Sequence, residues 1–285
     1  MDAFPSLTIE GVTISRAICG TNALLGWSHV SAGRDAWLRA TFDPPRIARV
    51  FARCQELGVN AVMGPLYPRL IDALDETERL TGVRPIWVAT TSMDCYPADR
   101  EQAYLAARRA GRLDEAMAIN RDSIGEQAAA LKAAGAAFCL VHGACADHWP
   151  LREGRLVGLA ETMAQIRAVG LVPGSATHLA ERVTALESAP SGPAILATPV
   201  NKGGWMMTPS RDDALARFSC LHRPLIAIKT LACGRYDTEY TVEEWLRWAV
   251  AAPGVAAIAL GVMVEQEAEQ SLPVLRDAFA ERYGA

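Results

Sequence analysis

The chain lacks long apolar runs and dense basic clusters. No apolar segment approaches the roughly 18 residues that a membrane span requires, and the start, Met-Asp-Ala-Phe-Pro-Ser, has no cationic segment followed by an apolar one. The formal net charge of -4, without a basic run, leaves no electrostatic footprint for a phosphate backbone. We therefore predict a cytoplasmic protein that binds neither nucleic acid nor a membrane.

Paired cysteines and sequence repeats are also missing. The seven cysteines include no Cys-x-x-Cys pair, so we expect reduced thiols that pack inside the protein. Hydrophobic residues make up 51% of the chain and charged residues 21%, which is typical of a globular protein and excludes wholesale disorder. A length of 285 residues suits one large barrel, and we predict a single domain over residues 1–285.

Short apolar segments bounded by Gly and Pro alternate with longer helical patterns, as in parallel strands joined by helices. We predict strands at 16–20, 60–63, 85–89, 137–142, 171–174, 195–198, 225–229 and 256–261. We predict helices at 45–57, 69–81, 113–134, 159–169, 179–187, 210–220, 242–251 and 266–283. Eight such units predict an α/β protein with a (β/α)8 TIM-barrel fold.

Two additions to the barrel are expected. Residues 6–15 alternate apolar and polar side chains about Glu10-Gly11, which predicts an N-terminal β-hairpin. The third unit is oversized, and residues 92–112 are predicted to form a lid or an additional helix.

Two segments carry a family resemblance. Residues 57–67 read Leu-Gly-Val-Asn-Ala-Val-Met-Gly-Pro-Leu-Tyr, and residues 138–143 read Phe-Cys-Leu-Val-His-Gly. The first resembles the second-strand motif of aldo-keto reductases, Gly-Ile-Asn-x-x-Asp-Thr-Ala-x-x-Tyr, and the second resembles their fourth strand, which ends in an active-site histidine. The resemblance implies a TIM barrel that reduces carbonyl groups with NAD(P)H.

Aldo-keto reductases use a tyrosine acid whose pKa is lowered by a lysine paired to an aspartate, and this sequence departs from that pattern. Met63 stands in the place of the aspartate and Thr91 in the place of the lysine, while Tyr67 falls one residue short of the tyrosine. The segment 174–178 lacks the Ser-Asn pair that holds the carboxamide, and residues 262–270 are acidic where an arginine would meet a phosphate. The sequence therefore argues against NAD(P)H as the cofactor.

Histidines follow several of the predicted strands. His29 comes after the first strand, His142 ends the fourth and His178 ends the fifth, and barrel enzymes build their sites at these ends. Three converging imidazoles predict a divalent metal ion as cofactor. Separate hydrogen bonding of each histidine is the alternative. If no metal is bound, His142 and His178 are predicted to transfer protons.

Lys229 ends the seventh predicted strand, where desolvation would lower its pKa. It is predicted either to form a Schiff base or to anchor an anionic substrate together with Arg235, and we favour the anchor. An ion pair with Asp94 or Glu265 is the structural alternative.

Other polar and aromatic residues fall in the same loops. Asp94, after the third strand, is a candidate general acid or base, as is Asp147 after the fourth. Asn22, Lys202 and Trp205 are predicted to contact substrate, since Trp205 follows two glycines that let a ligand approach the backbone.

Together these patterns predict a lyase, isomerase or hydrolase that acts on a polar or anionic small molecule by acid-base catalysis, with or without the help of a metal ion. An aldo-keto-reductase-type NAD(P)H oxidoreductase with altered catalytic residues is the first alternative. A non-catalytic binding barrel is the second. The sequence leaves open whether the chain forms a homo-oligomer.

Overall fold

The computed structural model describes residues 4–92, 100–235 and 241–284. Its strands are β1 (Ser6–Ile9), β2 (Val12–Ser15), β3 (Ala17–Gly20), β4 (Ala61–Pro65), β5 (Ile86–Thr90), β6 (Phe138–Val141), β7 (Leu151–Arg152), β8 (Arg155–Leu156), β9 (Val172–Ala176), β10 (Ile195–Pro199), β11 (Leu225–Ile228) and β12 (Val255–Gly261). A closed parallel barrel runs through β3, β4, β5, β6, β9, β10, β11 and β12 and back to β3. The predicted TIM barrel is confirmed.

Helices cover the outside of the barrel. They are α1 (Ala32–Thr41), α2 (Pro44–Glu56), α3 (Pro68–Thr81), α4 (Glu101–Arg109), α5 (Leu113–Asp122), α6 (Ile124–Ala133), α7 (Gly143–Asp147), α8 (Leu159–Ala168), α9 (Ala180–Glu187), α10 (Arg211–Phe218), α11 (Val242–Ala251) and α12 (Glu265–Tyr283). Among the described residues, none of these helices is both long and apolar enough to cross a membrane.

Two apolar layers hold the barrel together. Side chains such as Ile18, Val88, Phe138 and Ile226 fill the interior, because successive strand residues point alternately inward and outward. The outward-facing residues pack against the helices in a second, larger cluster. This arrangement leaves the carboxyl ends of the strands free to carry polar side chains.

The predicted N-terminal hairpin is confirmed and closes one end of the barrel. β1 and β2 pair antiparallel around Glu10 and Gly11, which both have positive φ, at 45° and 85°, as a tight two-residue hairpin turn requires. Ile9 and Ile14 belong to the interior cluster of the barrel. The hairpin therefore seals the end opposite the strand termini that carry the polar loops.

The third unit differs from its prediction. The helix expected over 113–134 is broken into α5 and α6 at Ser123, whose hydroxyl donates to the carbonyl of Asn120 at 2.7 Å. Gln127 accepts the backbone N–H of Ser92 at 2.6 Å, so buried polar side chains tie this turn to the end of β5. The segment 92–112, predicted to form a lid or an additional helix, contains the helix α4, and residues 93–99 lie outside the described residues.

Candidate functional site

His142 stands at the centre of the strand-end loops. It follows β6 as the residue before α7, and its Nδ1 accepts the backbone N–H of Ala144 at 3.1 Å. Its own N–H donates to the Thr91 hydroxyl at 3.0 Å. Burial, followed by the charges of His178 and Lys229, lowers the pKa of His142 to about 3. The imidazole is therefore neutral near pH 7, and the Ala144 bond leaves its proton on Nε2.

A histidine-carboxylate pair lies beside it. His178 Nδ1 and Asp147 Oδ2 are 2.6 Å apart, and Asp147 Oδ1 accepts the His178 backbone N–H at 2.9 Å and the Thr177 hydroxyl at 2.6 Å. Burial opposes the charge of Asp147, but these hydrogen bonds outweigh it and hold its pKa below the ordinary value. The carboxylate is thus ionised and fixes the imidazole ring.

Gly143 allows the two histidines to approach one another. A Cβ atom at residue 143 would lie 2.8 Å from His178 Cε1, closer than real Cβ atoms approach other atoms, and 3.1 Å from its Nδ1. The His178 ring therefore rests against the backbone that carries His142. The predicted proximity of these two histidines follows from the glycine that begins α7.

Lys229 is the first residue after β11 and is partly buried. Burial lowers its pKa, and its positive charge contributes to the lowered pKa values of His29 and His142. In the stretches of chain that the structure describes, Lys229 takes part in no ion pair, so the predicted pair with Glu265 is absent. Its charge is available within the site.

The rim of the site carries an aromatic group and a second cation. The Trp205 ring lies 4.6 Å from the Arg235 guanidinium carbon and packs edge-on to His29 with centroids 5.8 Å apart. Arg235 also donates to the His29 carbonyl. These contacts join the loops that follow β3, β10 and β11.

The remaining predicted contacts are less central. Asn22 is exposed, and its side chain lies at 3.5 Å from His29, between Nδ2 and Nε2. Lys202 lies on the rim, where its charge reaches Glu244. Asp94 lies outside the described residues, so its assignment as an acid or base stays a prediction.

The metal prediction is wrong. Residues 4–92, 100–235 and 241–284 contain no group of three or more His, Cys, Asp or Glu side chains placed to hold a metal ion. His142 Nδ1 accepts from Ala144 and His178 Nδ1 binds Asp147, so each of these rings has only Nε2 left for a ligand, and His29 packs edge-on against Trp205. The three histidines share one end of the barrel without a common coordination point.

Backbone strain is concentrated at the same end. Five non-glycine residues in these loops have positive φ, between 46° and 58°, namely His29, Met206, Lys229, Ala232 and Cys233. Such conformations cost free energy and cluster at sites where geometry matters for function. The loops after β3, β10 and β11 are therefore held in specific conformations.

Three contributors escape the sequence reasoning. The Thr177 hydroxyl donates a hydrogen bond to Asp147, and Gly143 has no side chain that would clash with the His178 ring. Thr91, in the place of the family's lysine, accepts the backbone N–H of His142. Only the small residues after His142 give a signal in the sequence, since glycine there permits close approach.

Comparisons with known proteins place this geometry in a fold family. A putative aldo-keto reductase from Pseudomonas aeruginosa is 17% identical over 96% of this chain and 95% of its own, with a TM-score of 0.60. An aldo-keto reductase from Bacillus halodurans in its holo form is 10% identical over 98% and 96%, with a TM-score of 0.58. A putative 2,5-diketo-D-gluconic acid reductase B is 16% identical over 98% and 90%, with a TM-score of 0.57.

No family model and no curated protein sequence matches the chain. The structural likeness therefore stands on shape, and it confirms the resemblance read from residues 57–67 and 138–143. The chain is a divergent barrel with the aldo-keto reductase fold.

The comparisons contradict two predictions. The prediction of a lyase, isomerase or hydrolase is wrong, because the similar structures named above are reductases. These structures favour the oxidoreductase alternative. The argument against NAD(P)H is contradicted by the same neighbours. Part of its basis also fails physically: Glu267 accepts the backbone N–H of Met263 at 2.7 Å, and Glu269 pairs with Arg53 of α2 at 3.0 Å. Glu269 is therefore engaged on α2, away from the strand-end loops, whereas Glu267 is held against the loop that follows β12.

Proposed function

We propose that the chain is an NAD(P)H-dependent oxidoreductase that reduces the carbonyl group of a small molecule, with catalytic residues that differ from those of aldo-keto reductases. The observation that carries the proposal is His142, a neutral hydrogen-bond donor at the end of β6 in a barrel that matches reductases along nearly its whole length.

His142 would orient the carbonyl. With its Nδ1 accepting from Ala144, the Nε2–H is directed to donate a hydrogen bond, and no described residue accepts it. A neutral imidazole donates to a carbonyl oxygen without placing a full charge there in the ground state. Lys229, whose charge reaches His142, would stabilise the negative charge that develops on that oxygen.

The rim residues fit a nicotinamide dinucleotide in kind. Such a cofactor has flat rings and two phosphates, and the rim offers the Trp205 ring and the Arg235 guanidinium beside it. Trp205 and Arg235 would hold the cofactor, which when bound supplies a hydride. The acidic residues after β12 that would oppose a phosphate are partly engaged by Met263 and Arg53.

The relay of the family has been replaced by other residues. Met63 packs in the interior cluster of the barrel, and Thr91 accepts the N–H of His142, so neither can lower the pKa of a tyrosine through a charged chain. Carbonyl reduction by this chain therefore requires a different proton donor.

Titration with NADPH and with NADH tests the proposal. We expect saturable enhancement of cofactor fluorescence with one of them, and oxidation of that cofactor when a panel of small aldehydes and ketones is added. Trp205→Ala should weaken cofactor binding, because the aromatic face is lost. Trp37→Ala, which removes an exposed tryptophan of α1, is the matched control and should bind as the wild type does. Absence of saturable binding for both cofactors would refute the proposal.

A further inference from the structure

We propose that His178, oriented by Asp147, donates the proton to the carbonyl oxygen and so takes the part that a tyrosine plays in aldo-keto reductases. The inference rests on the proposed reductase function. It names a catalytic residue, His178, and a positioning residue, Asp147, that the structure brings together at the end of β9.

In the His178-Asp147 pair, the carboxylate binds Nδ1 of the imidazole ring and leaves Nε2 without a partner in the part of the chain that the structure describes. Asp147 uses one oxygen for His178 Nδ1, at 2.6 Å, and the other for the His178 backbone N–H and the Thr177 hydroxyl, at 2.9 and 2.6 Å. These bonds fix the carboxylate on both sides. His178 Nε2 has no hydrogen-bond partner among the described residues, which leaves it available to a substrate.

The position of the His178 ring is also fixed, by its contact with the backbone at Gly143. His178 rests on Gly143, with Cε1 2.8 Å from where a Cβ atom would be, and its charge reaches both His142 and His29. The His142 donor and the His178 ring therefore border the same space. His178 and Asp147 remain partly accessible, with 19% and 17% of their side chains exposed.

The charged and titratable groups around His178 come from several elements, and they favour His178 as the proton donor and Lys229 as the group that stabilises charge. Asp147 comes from α7, His142 from the end of β6, His29 from the loop after β3 and Lys229 from the end of β11. A base or acid held by a carboxylate is a recurring arrangement for proton transfer. Lys229 has no such orienting partner in the described part of the chain, which suits it to stabilising charge.

The step balances as a simple addition. The carbonyl carbon takes up a hydride from the reduced nicotinamide cofactor as the C=O π bond breaks, and the oxygen takes up the proton from Nε2 of the His178 imidazolium. The electron pair of that N–H bond stays on nitrogen, so His178 becomes neutral. Solvent water at the partly exposed ring returns the proton.

Three variants of this site and one control test the inference. His178→Gln should lower kcat by about 10²- to 10⁴-fold while the fluorescence titration shows unchanged cofactor affinity. Asp147→Asn should lower kcat by a smaller factor. Gly143→Ala keeps both groups but displaces the His178 ring, and it should also lower kcat. His222→Gln is the control, because His222 forms a histidine-carboxylate pair with Glu187 at 3.4 Å on the exposed surface, and it should behave as the wild type.

Proton NMR of the protein without substrate gives a readout independent of turnover. The short His178-Asp147 bond should produce a far-downfield N–H resonance. This signal should vanish in His178→Gln and in Asp147→Asn and persist in His222→Gln.

Opposite results separate the two proposals. Wild type that binds and oxidises the cofactor, with kcat of folded His178→Gln within about threefold of wild type, would overturn the inference and leave the function standing. Loss of turnover in Lys229→Met together with full activity in His178→Gln would assign the proton to Lys229 instead. Wild type that binds neither cofactor would overturn both the function and the inference. Should His178→Gln fail to fold, full activity of Gly143→Ala and Asp147→Asn would overturn the inference in its place.

Discussion

At the scale of single residues, burial and neighbouring charge decide which groups of the site are charged. His142 is surrounded by His178 and Lys229 and stays neutral, whereas Asp147 is ionised because three hydrogen bonds favour its charge. Lys229 is held in a partly buried position that disfavours its charge. The site thus combines a neutral donor, an ionised acceptor and a destabilised cation.

The neutrality of His142 predicts a dependence of stability on pH. Its pKa is about 3 in the folded protein and about 6.5 when unfolded. Between these values the unfolded chain binds the proton more readily, so stability falls as the pH decreases, by up to about 1.4 kcal/mol per pH unit. Above the unfolded value the site contributes nothing to the slope. Urea unfolding at pH 7.5, 6 and 5 should show a smaller acid loss for His142→Gln than for the wild type.

The exposed His222 supplies the control for this measurement. His222→Gln should lose stability with decreasing pH in parallel with the wild type, because its ring is largely solvated. Equal acid slopes for His142→Gln and the wild type would contradict neutral burial of His142.

The sequence anticipates where these side chains lie better than what they do. His142 and Lys229 end predicted strands and His178 comes shortly after one, and parallel strands of a barrel end on one side. The proposed metal role fails because the described residues bring no three possible ligands together, while Ala144 and Asp147 are the partners that orient the His142 and His178 rings. Those partners are set by loop conformation, for which the sequence gives no periodic signal.

At the scale of elements, the apolar segments are informative and polar tertiary contacts are not. The eight barrel strands agree with prediction within two residues at each end, because buried parallel strands read as short apolar runs. The break between α5 and α6 is missed, since it depends on the hydrogen bond from Ser123 to Asn120 and on the tie from Gln127 to Ser92. α7, only five residues long, is too short to show a helical period.

Helix caps show the same contrast. Thr241 directly precedes the helix predicted at 242–251, and it caps α11 in a capping box with Glu244. Thr208 and Ser210 both have a side chain suited to capping the helix after β10, and Ser210 does so, accepting the N–H of Asp213 at 3.1 Å. A cap that immediately precedes an apolar periodic run can be read from sequence, whereas two candidates close together cannot be ranked.

The α11 cap gives a prediction at this scale. Thr241→Ala should lower the free energy of unfolding by about 1 kcal/mol, because the hydroxyl no longer accepts a backbone N–H of the first turn. Thr241→Ser keeps the hydroxyl and should lose only a small part of that stability. Chemical denaturation of the three proteins measures the difference, and equal midpoints for Thr241→Ala and the wild type would show that the cap contributes nothing.

At the scale of the whole molecule, stability and chemistry occupy opposite ends of the barrel. The hairpin of β1 and β2 adds Ile9 and Ile14 to the interior cluster at one end, while strained loops gather His29, Lys229 and their neighbours at the other. Only closure of the barrel brings residues from distant parts of the sequence together. This separation lets the strand-end loops change chemistry while the fold persists.

The separation predicts that a core substitution at the hairpin changes stability without changing the site. Ile14 is completely buried, and Ile14→Ala should lower the free energy of unfolding by about 2 to 5 kcal/mol because it leaves a cavity. Thr8→Ala, on the exposed face of the same hairpin, should change it by less than about 0.5 kcal/mol. At a temperature where both variants are folded, NADPH and NADH titrations should give the affinity of the wild type. Weakened cofactor binding in folded Ile14→Ala would show instead that the two ends of the barrel are mechanically coupled.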